Sequence, residues 1–120
     1  MSDFNTLASR YIDAWNETDA TSRQALIAAG WAETAAYRDP MASVEGHAGI
    51  DALIAGVQQK FPGYGFRLAG KVDGYGDRFR FHWTLAPAGG EPVVEGTDFA
   101  TVAPDGRLAS VTGFIDRMPG

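Results

Sequence analysis

Arg78-Phe79-Arg80-Phe81-His82-Trp83-Thr84-Leu85 alternates polar residues with large apolar ones without a break. Successive side chains of an extended chain point to opposite faces. The pattern therefore predicts a half-buried strand with Phe79, Phe81, Trp83 and Leu85 inward. The same period holds upstream, where Phe66, Leu68, Gly70 and Val72 alternate with Arg67, Ala69 and Lys71. Between the two, Asp73-Gly74-Tyr75-Gly76-Asp77 reads as a turn. Downstream, Pro87 to Pro92 is a loop and Val93 to Val102 a long strand. Pro104-Asp105-Gly106 then has the residues a hairpin turn needs, and Leu108 to Ile115 is the last strand.

The first half has a different period. Phe4, Leu7, Ala8, Tyr11, Ile12 and Trp15 fall at helical spacing and form one apolar stripe, with Ser2 as the candidate N-cap. Asn16-Glu17-Thr18-Asp19 breaks this helix. A second helix is predicted from Asp19 or Thr21 through Leu26 and Ile27, with Gly30 as its C-terminal cap. Trp31 to Tyr37 reads equally as a last helical turn or a short strand. Asp39 precedes Pro40, and a residue before proline is pushed to extended geometry. A third helix starts near Gly46 or His47, carries Ile50, Leu53, Ile54, Val57 and Phe61 on one face, and stops at Pro62-Gly63. The order of elements is helix, helix, short strands, helix, then four antiparallel strands. That predicts one α+β domain over residues 1–120, with helices on one face of a curved sheet.

Composition removes several functions. Of 120 residues, 45% are hydrophobic and 21% charged, which suits a globular domain rather than a disordered one. The net charge of −5 repels phosphate backbones, so no nucleic-acid partner is expected. There is no cysteine, hence no disulfide, thiolate nucleophile or cysteine-bound zinc. No apolar run approaches the roughly 20 residues of a membrane span. Met1-Ser2-Asp3-Phe4 lacks the basic and apolar start of a signal peptide, so a cytoplasmic location is expected. His47 and His82 stand far apart and form no metal-binding pattern, so no metal is expected. No phosphate-binding glycine loop and no nucleophile elbow occur.

Three residues carry the chemistry worth weighing. Asp98 shares a strand face with Val94, Gly96, Ala100 and Val102, all small or apolar. An acid in such surroundings holds its proton more tightly and suits a proton donor. The competing reading turns Thr97 and Phe99 inward and leaves Asp98 solvated. Asp39, stiffened by Pro40, is a candidate general base; equally, it is a turn aspartate bonding its own backbone. Tyr11 lies on the buried stripe and needs a hydroxyl partner, as a ligand donor or as a core tyrosine. Trp15, Phe61, Phe79, Phe81, Trp83 and Phe114 fall on inward faces, as lining of an apolar pocket or simply as core. His82 should face away from them, with Arg78 and Arg80.

The chain resembles the nuclear-transport-factor-two-like superfamily, in its ketosteroid isomerase and SnoaL-like polyketide cyclase branches. Three segments carry the resemblance: Arg10-Tyr11-Ile12-Asp13-Ala14-Trp15-Asn16, Tyr37-Arg38-Asp39-Pro40 followed by Gly46 and Ile50, and Gly96-Thr97-Asp98-Phe99. The resemblance implies a cone-shaped α+β fold, cystatin-like: a strongly curved antiparallel sheet and three helices enclosing a pocket. It implies Tyr11 and protonated Asp98 as oxyanion donors and Asp39 as general base. The expected substrate-binding set is Trp15, Phe61, Phe81, Trp83 and Phe114, the last as the family's pocket aromatic. The expected activity is proton transfer at carbon next to a carbonyl in an apolar small molecule, with no metal or cofactor. Trp83, bulky in a strand expected to line the pocket, counts against a steroid-sized substrate. A homodimer is expected through the open sheet face of Arg78, Arg80 and His82. The alternatives are a non-catalytic binding or dimerisation module and an epoxide hydrolase. The last needs an arginine between two aspartates, and Arg80 is predicted to point outward.

Overall fold

Asp3 opens the first helix, α1 (Phe4–Asn16), in the computed structural model, which describes residues 3–119. Its carboxylate accepts the Thr6 backbone N–H at 2.8 Å. The cap is therefore Asp3; Ser2 lies outside the described residues. The apolar stripe buries Leu7, Ala8, Tyr11, Ile12 and Trp15 as its spacing requires. At the C-terminal end, Asn16 binds a strand edge as another strand would. Its amide donates to the Phe66 carbonyl at 2.9 Å and accepts the Phe66 N–H at 2.8 Å.

Asp19 caps α2 (Ala20–Gly30) by accepting the Ser22 N–H at 2.9 Å. Gly30 is the last helical residue and not a left-handed cap. Trp31 is already extended and its N–H closes the helix on Ile27. The ambiguous segment after it is a strand, β1 (Trp31–Arg38). A short β2 (Ser43–Glu45) leads into α3 (Gly46–Lys60). Buried Arg23 fastens the three helices together. It donates to Asp51 at 2.6 Å and to the Glu17 carbonyl and Gln58 at 3.2 Å each, while Gln58 donates to the Trp15 carbonyl at 3.0 Å.

The second half forms β3 (Tyr64–Tyr75), β4 (Arg78–Pro87), β5 (Val94–Val102) and β6 (Leu108–Arg117). The turn after β3 is only Gly76-Asp77, because Asp73, Gly74 and Tyr75 still pair with Arg80, Phe79 and Arg78. The six strands lie in the order β2-β1-β6-β5-β4-β3. The sheet is mixed: β1 runs parallel to β6, and every other pair is antiparallel. The α2–β1 connection returns the chain beside the last strand, which a sequence pattern cannot show. Register shifts interrupt three pairings, and such irregularities bend strands. The helices cover one face, α1 against β3 and α3 against β1. Among the described residues no helix is long and apolar enough to cross a membrane.

Register fixes what faces the helices. Asp98 sits between Phe81 on β4 and Gly113 on β6, and Trp83 sits beside Gly96. The Trp83 indole lies flat over Gly96. A Cβ there would fall 2.5 Å from ring atom Cε2 and 2.8 Å from the Phe114 carbonyl oxygen. Gly96→Ala must therefore push the indole or the backbone aside. We expect a loss of about 1–3 kcal/mol in urea unfolding, the usual cost of overpacking, together with a changed Trp83 near-ultraviolet dichroism signal.

Candidate functional site

Between α1, α3 and the sheet lies a cavity of about 230 Å³. Its walls are apolar: Trp15, Leu53, Val57, Phe61, Phe66 and Trp83. Its inner end holds the buried Tyr11, Tyr37 and Asp98, beside the partly exposed Asp39. Its mouth carries Met41, Lys60 and Met118, all exposed.

Asp98 is 2% exposed, on the face with Val94, Gly96 and Ala100. The alternative with Phe99 inward does not occur. Both carboxyl oxygens are held: the Tyr11 hydroxyl donates to Oδ2 at 2.6 Å and Trp83 Nε1 donates to Oδ1 at 3.1 Å. Burial pushes its pKa up, the two donors pull it partly back, and the charges of Asp39 and Asp116 add to the rise, which leaves it at about 6. Burial first, then the Asp98 charge, holds the Tyr11 phenol well above its ordinary range. Tyr37 is raised in the same way by burial, by Asp98 and by its bond to Asp39. Both phenols therefore keep their protons and act as donors.

Asp39 fulfils both roles weighed for it. It closes its own turn, accepting the Met41 and Ala42 N–H groups on Oδ1 at 2.8 Å each. It also lines the cavity, where the Tyr37 hydroxyl donates to Oδ2 at 2.6 Å. The two acids meet over Gly113. A Cβ there would lie 2.8 Å from Asp98 Oδ1, 3.3 Å from Asp39 Cβ and 3.5 Å from the Tyr37 oxygen. Only a residue without a side chain leaves these groups together.

Trp15, Phe61 and Trp83 line the cavity as expected. Phe81 does not. It is 1% exposed beneath the cavity, its ring 5.1 Å from Tyr11 and 5.8 Å from Phe79, so it supports Tyr11 instead of meeting a ligand. Phe114 does not either. Gly113 and Ile115 point inward, so strand alternation sends Phe114 to the outer face, where it is 57% exposed. Tyr11 reaches the site, but its proton is committed to Asp98. Sequence reasoning missed Tyr37, although its place two residues before Asp39 on an extended chain puts both on one side. It also missed Trp83 as a hydrogen-bond donor. Of the buried side-chain nitrogens and oxygens among the described residues, Trp15 Nε1 alone has no partner. Such a vacancy costs about 1–3 kcal/mol.

On the outer face His82 lies exposed, its Nδ1 2.8 Å from the Thr97 hydroxyl, which donates to Asp116 at 2.6 Å. Arg80 also points outward and pairs with Asp73 at 3.1 Å. It is therefore not at the cavity, where the epoxide hydrolase reading needs it. Among the described residues no group of three or more histidines and carboxylates is placed to hold a metal ion.

The family model for the SnoaL-like domain matches residues 8–111. A structure from Agrobacterium tumefaciens, provisionally described as an isomerase of the SnoaL-like family, is 44% identical. It superimposes with a TM-score of 0.92 over 97% of this chain and 99% of that one. A structure from Sinorhizobium meliloti, provisionally described as a polyketide cyclase, is 21% identical with a TM-score of 0.70, covering 90% and 93%. A protein with a cystatin-like fold from Nostoc punctiforme shares the fold at 14% identity, with a TM-score of 0.69 and coverage of 95% and 90%. No curated protein matches the chain.

The raised Asp98 pKa links the site to stability. Between about pH 4 and 6 the folded protein binds this proton more tightly than the unfolded chain does. The stabilisation is full below pH 4 and is lost as pH rises through 6. The stability of the wild type relative to Asp98→Asn should therefore fall by up to about 3 kcal/mol from pH 4 to 7 in urea titrations. In Asp39→Asn the carboxyl-carbon NMR midpoint of Asp98 should move below 6, since one raising charge is gone.

Proposed function

The chain belongs to the SnoaL-like family, and on that footing we propose that it is an enolising enzyme, an isomerase or cyclase. It moves a proton at the carbon next to a carbonyl. The observation that carries this reading is the pair of acids in unlike settings at the inner end of one apolar cavity. Asp98 is sheltered and tends to hold a proton, while Asp39 is partly exposed and held by three donors. A sheltered acid suits the donor and a partly exposed carboxylate the base, so the unlike settings divide the two roles.

Asp39 takes the proton from the α-carbon. The C–H electron pair becomes the new carbon–carbon double bond, and the carbonyl π electrons move to oxygen. Protonated Asp98 donates to that oxygen. A ligand filling the cavity displaces water, and the charge growing on its oxygen favours the proton on Asp98 further. Return of the proton from Asp39 to a different carbon of the extended enolate gives isomerisation. Attack of the enolate carbon on a second carbonyl closes a ring, and the alkoxide formed there takes the proton from Asp39 to give the aldol. Tyr11 and Trp83 hold Asp98 in place, and Tyr37 holds Asp39. The volume, about 230 Å³, is below the roughly 300–1,000 Å³ of sites for drug-sized ligands, so a compact substrate fits this reading.

The test is deuterium exchange. In D2O the wild type should accelerate exchange of the acidic C–H protons of 2-cyclohexenone, followed by proton NMR. Asp39→Asn should be slower by about 10²–10⁴-fold and Asp98→Asn by about 10²–10³-fold. The rate at low substrate should drop about tenfold per pH unit above pH 6, as Asp98 loses its proton. Binding without exchange would make the protein a carrier instead.

We also propose that two copies pair through the outer sheet face, where Phe99 and Phe114 are 36% and 57% exposed. Phe114→Glu should then halve the mass measured by light scattering. A wild-type monomer at micromolar concentration would exclude this.

A further inference from the structure

The enolising reading needs donors for a ligand oxygen, and almost every donor at the inner end of the cavity is already engaged. Tyr11 and Trp83 both donate to Asp98. Tyr37 and the Met41 and Ala42 amides all donate to Asp39. The exception is the indole N–H of Trp15. This residue is 6% exposed, forms part of the cavity wall, and carries the one unpartnered buried side-chain polar atom among the described residues.

Its surroundings locate that N–H. The Trp15 ring lies 6.2 Å from the Tyr11 ring and 5.7 Å from the Tyr37 ring, between the two tyrosines that hold the acids. The backbone beneath it is fixed: the Trp15 carbonyl accepts from Gln58 at 3.0 Å, and the next residue, Asn16, is locked to β3. Trp15 is also among the groups that favour the charged form of Tyr11, which sets its N–H near the phenol oxygen although no hydrogen bond forms between them. Tyr11 in turn touches Asp98. The free N–H therefore sits beside the pair expected to receive the ligand oxygen.

We propose that Trp15 Nε1–H is a catalytic donor to the ligand's reacting oxygen, working beside the proton of Asp98. The nitrogen is sealed from solvent. A small tilt of the indole presents its N–H to a bound ligand. This assignment rests on the enolising reading and adds a residue to it. A neutral indole N–H gains more from an anionic oxygen than from a neutral carbonyl. The contact therefore strengthens as the enolate forms, which accelerates the chemical step rather than merely retaining substrate.

Two probes of similar size test this: 1,3-cyclohexanedione, which carries its charge on oxygen as the enolate, and neutral 2-cyclohexenone. The Trp15 indole N–H signal of the wild type is followed by nitrogen–proton NMR, with the Asp39 and Asp98 carboxyl carbons as controls. The enolate should move the Trp15 signal downfield and slow its exchange with water. Trp15→Phe should weaken binding of the enolate about ten- to a hundredfold more than it weakens binding of 2-cyclohexenone. If the enolate shifts both carboxyl signals and leaves the Trp15 signal in place, the donor assignment is overturned and the enolising reading survives. If neither compound shifts either carboxyl, both fall. The wild-type spectra decide the matter even if Trp15→Phe does not fold.

Discussion

A carboxyl group buried among apolar side chains is the constraint on which the rest of the molecule depends. Asp98 is tolerable in the interior only because Tyr11 and Trp83 approach its two oxygens from different elements, a helix and a neighbouring strand. Each approach imposes demands of its own. Tyr11 must lie on the buried stripe of α1, and α1 must be held against the sheet, as Asn16 does at Phe66. Trp83 must lie flat, so its neighbour on β5 is a glycine. Asp39 must come close without clashing, so the strand between the two acids also carries a glycine. Around this acid, polar satisfaction and close packing are one problem.

The same arrangement makes the site uneven in polarity. Apolar walls lead to an inner end crowded with oxygen atoms. Two phenols that keep their protons stand over two acids in different surroundings. Burial supplies the difference between the acids: Asp98 loses water on every side, and Asp39 keeps part of its exposure and gains backbone donors. The relatives with solved structures, provisionally described as an isomerase and as a polyketide cyclase, share this scaffold.

Much of this was legible in the sequence, where the physics is local. The helical stripe of α1 and the alternation in β4 need only a few neighbouring residues, and the structure reproduces both. Alternation in β5 likewise put Asp98 on the inner face. The rest was not legible for separate reasons. Phe114 reads as inward by its apolar character, and the resemblance makes it a pocket aromatic, but Gly113 and Ile115 take the inner face and strand parity sends Phe114 out. Phe81 was right in direction but wrong in depth, since nothing in a strand pattern says whether an inward ring meets a cavity or a helix. The parallel β1–β6 pairing and the donor role of Trp83 arise between segments far apart in the chain, where a periodic pattern carries no information.

The cross-brace of Arg23, Asp51 and Gln58 bears on how such a protein can diversify. It secures the roof from outside the hollow, through groups that do not line it. Leu53, Val57 and Phe61 face the hollow from that roof. Their sizes can change while the acids below stay in register, so the outline of the hollow can vary more freely than the geometry at its inner end.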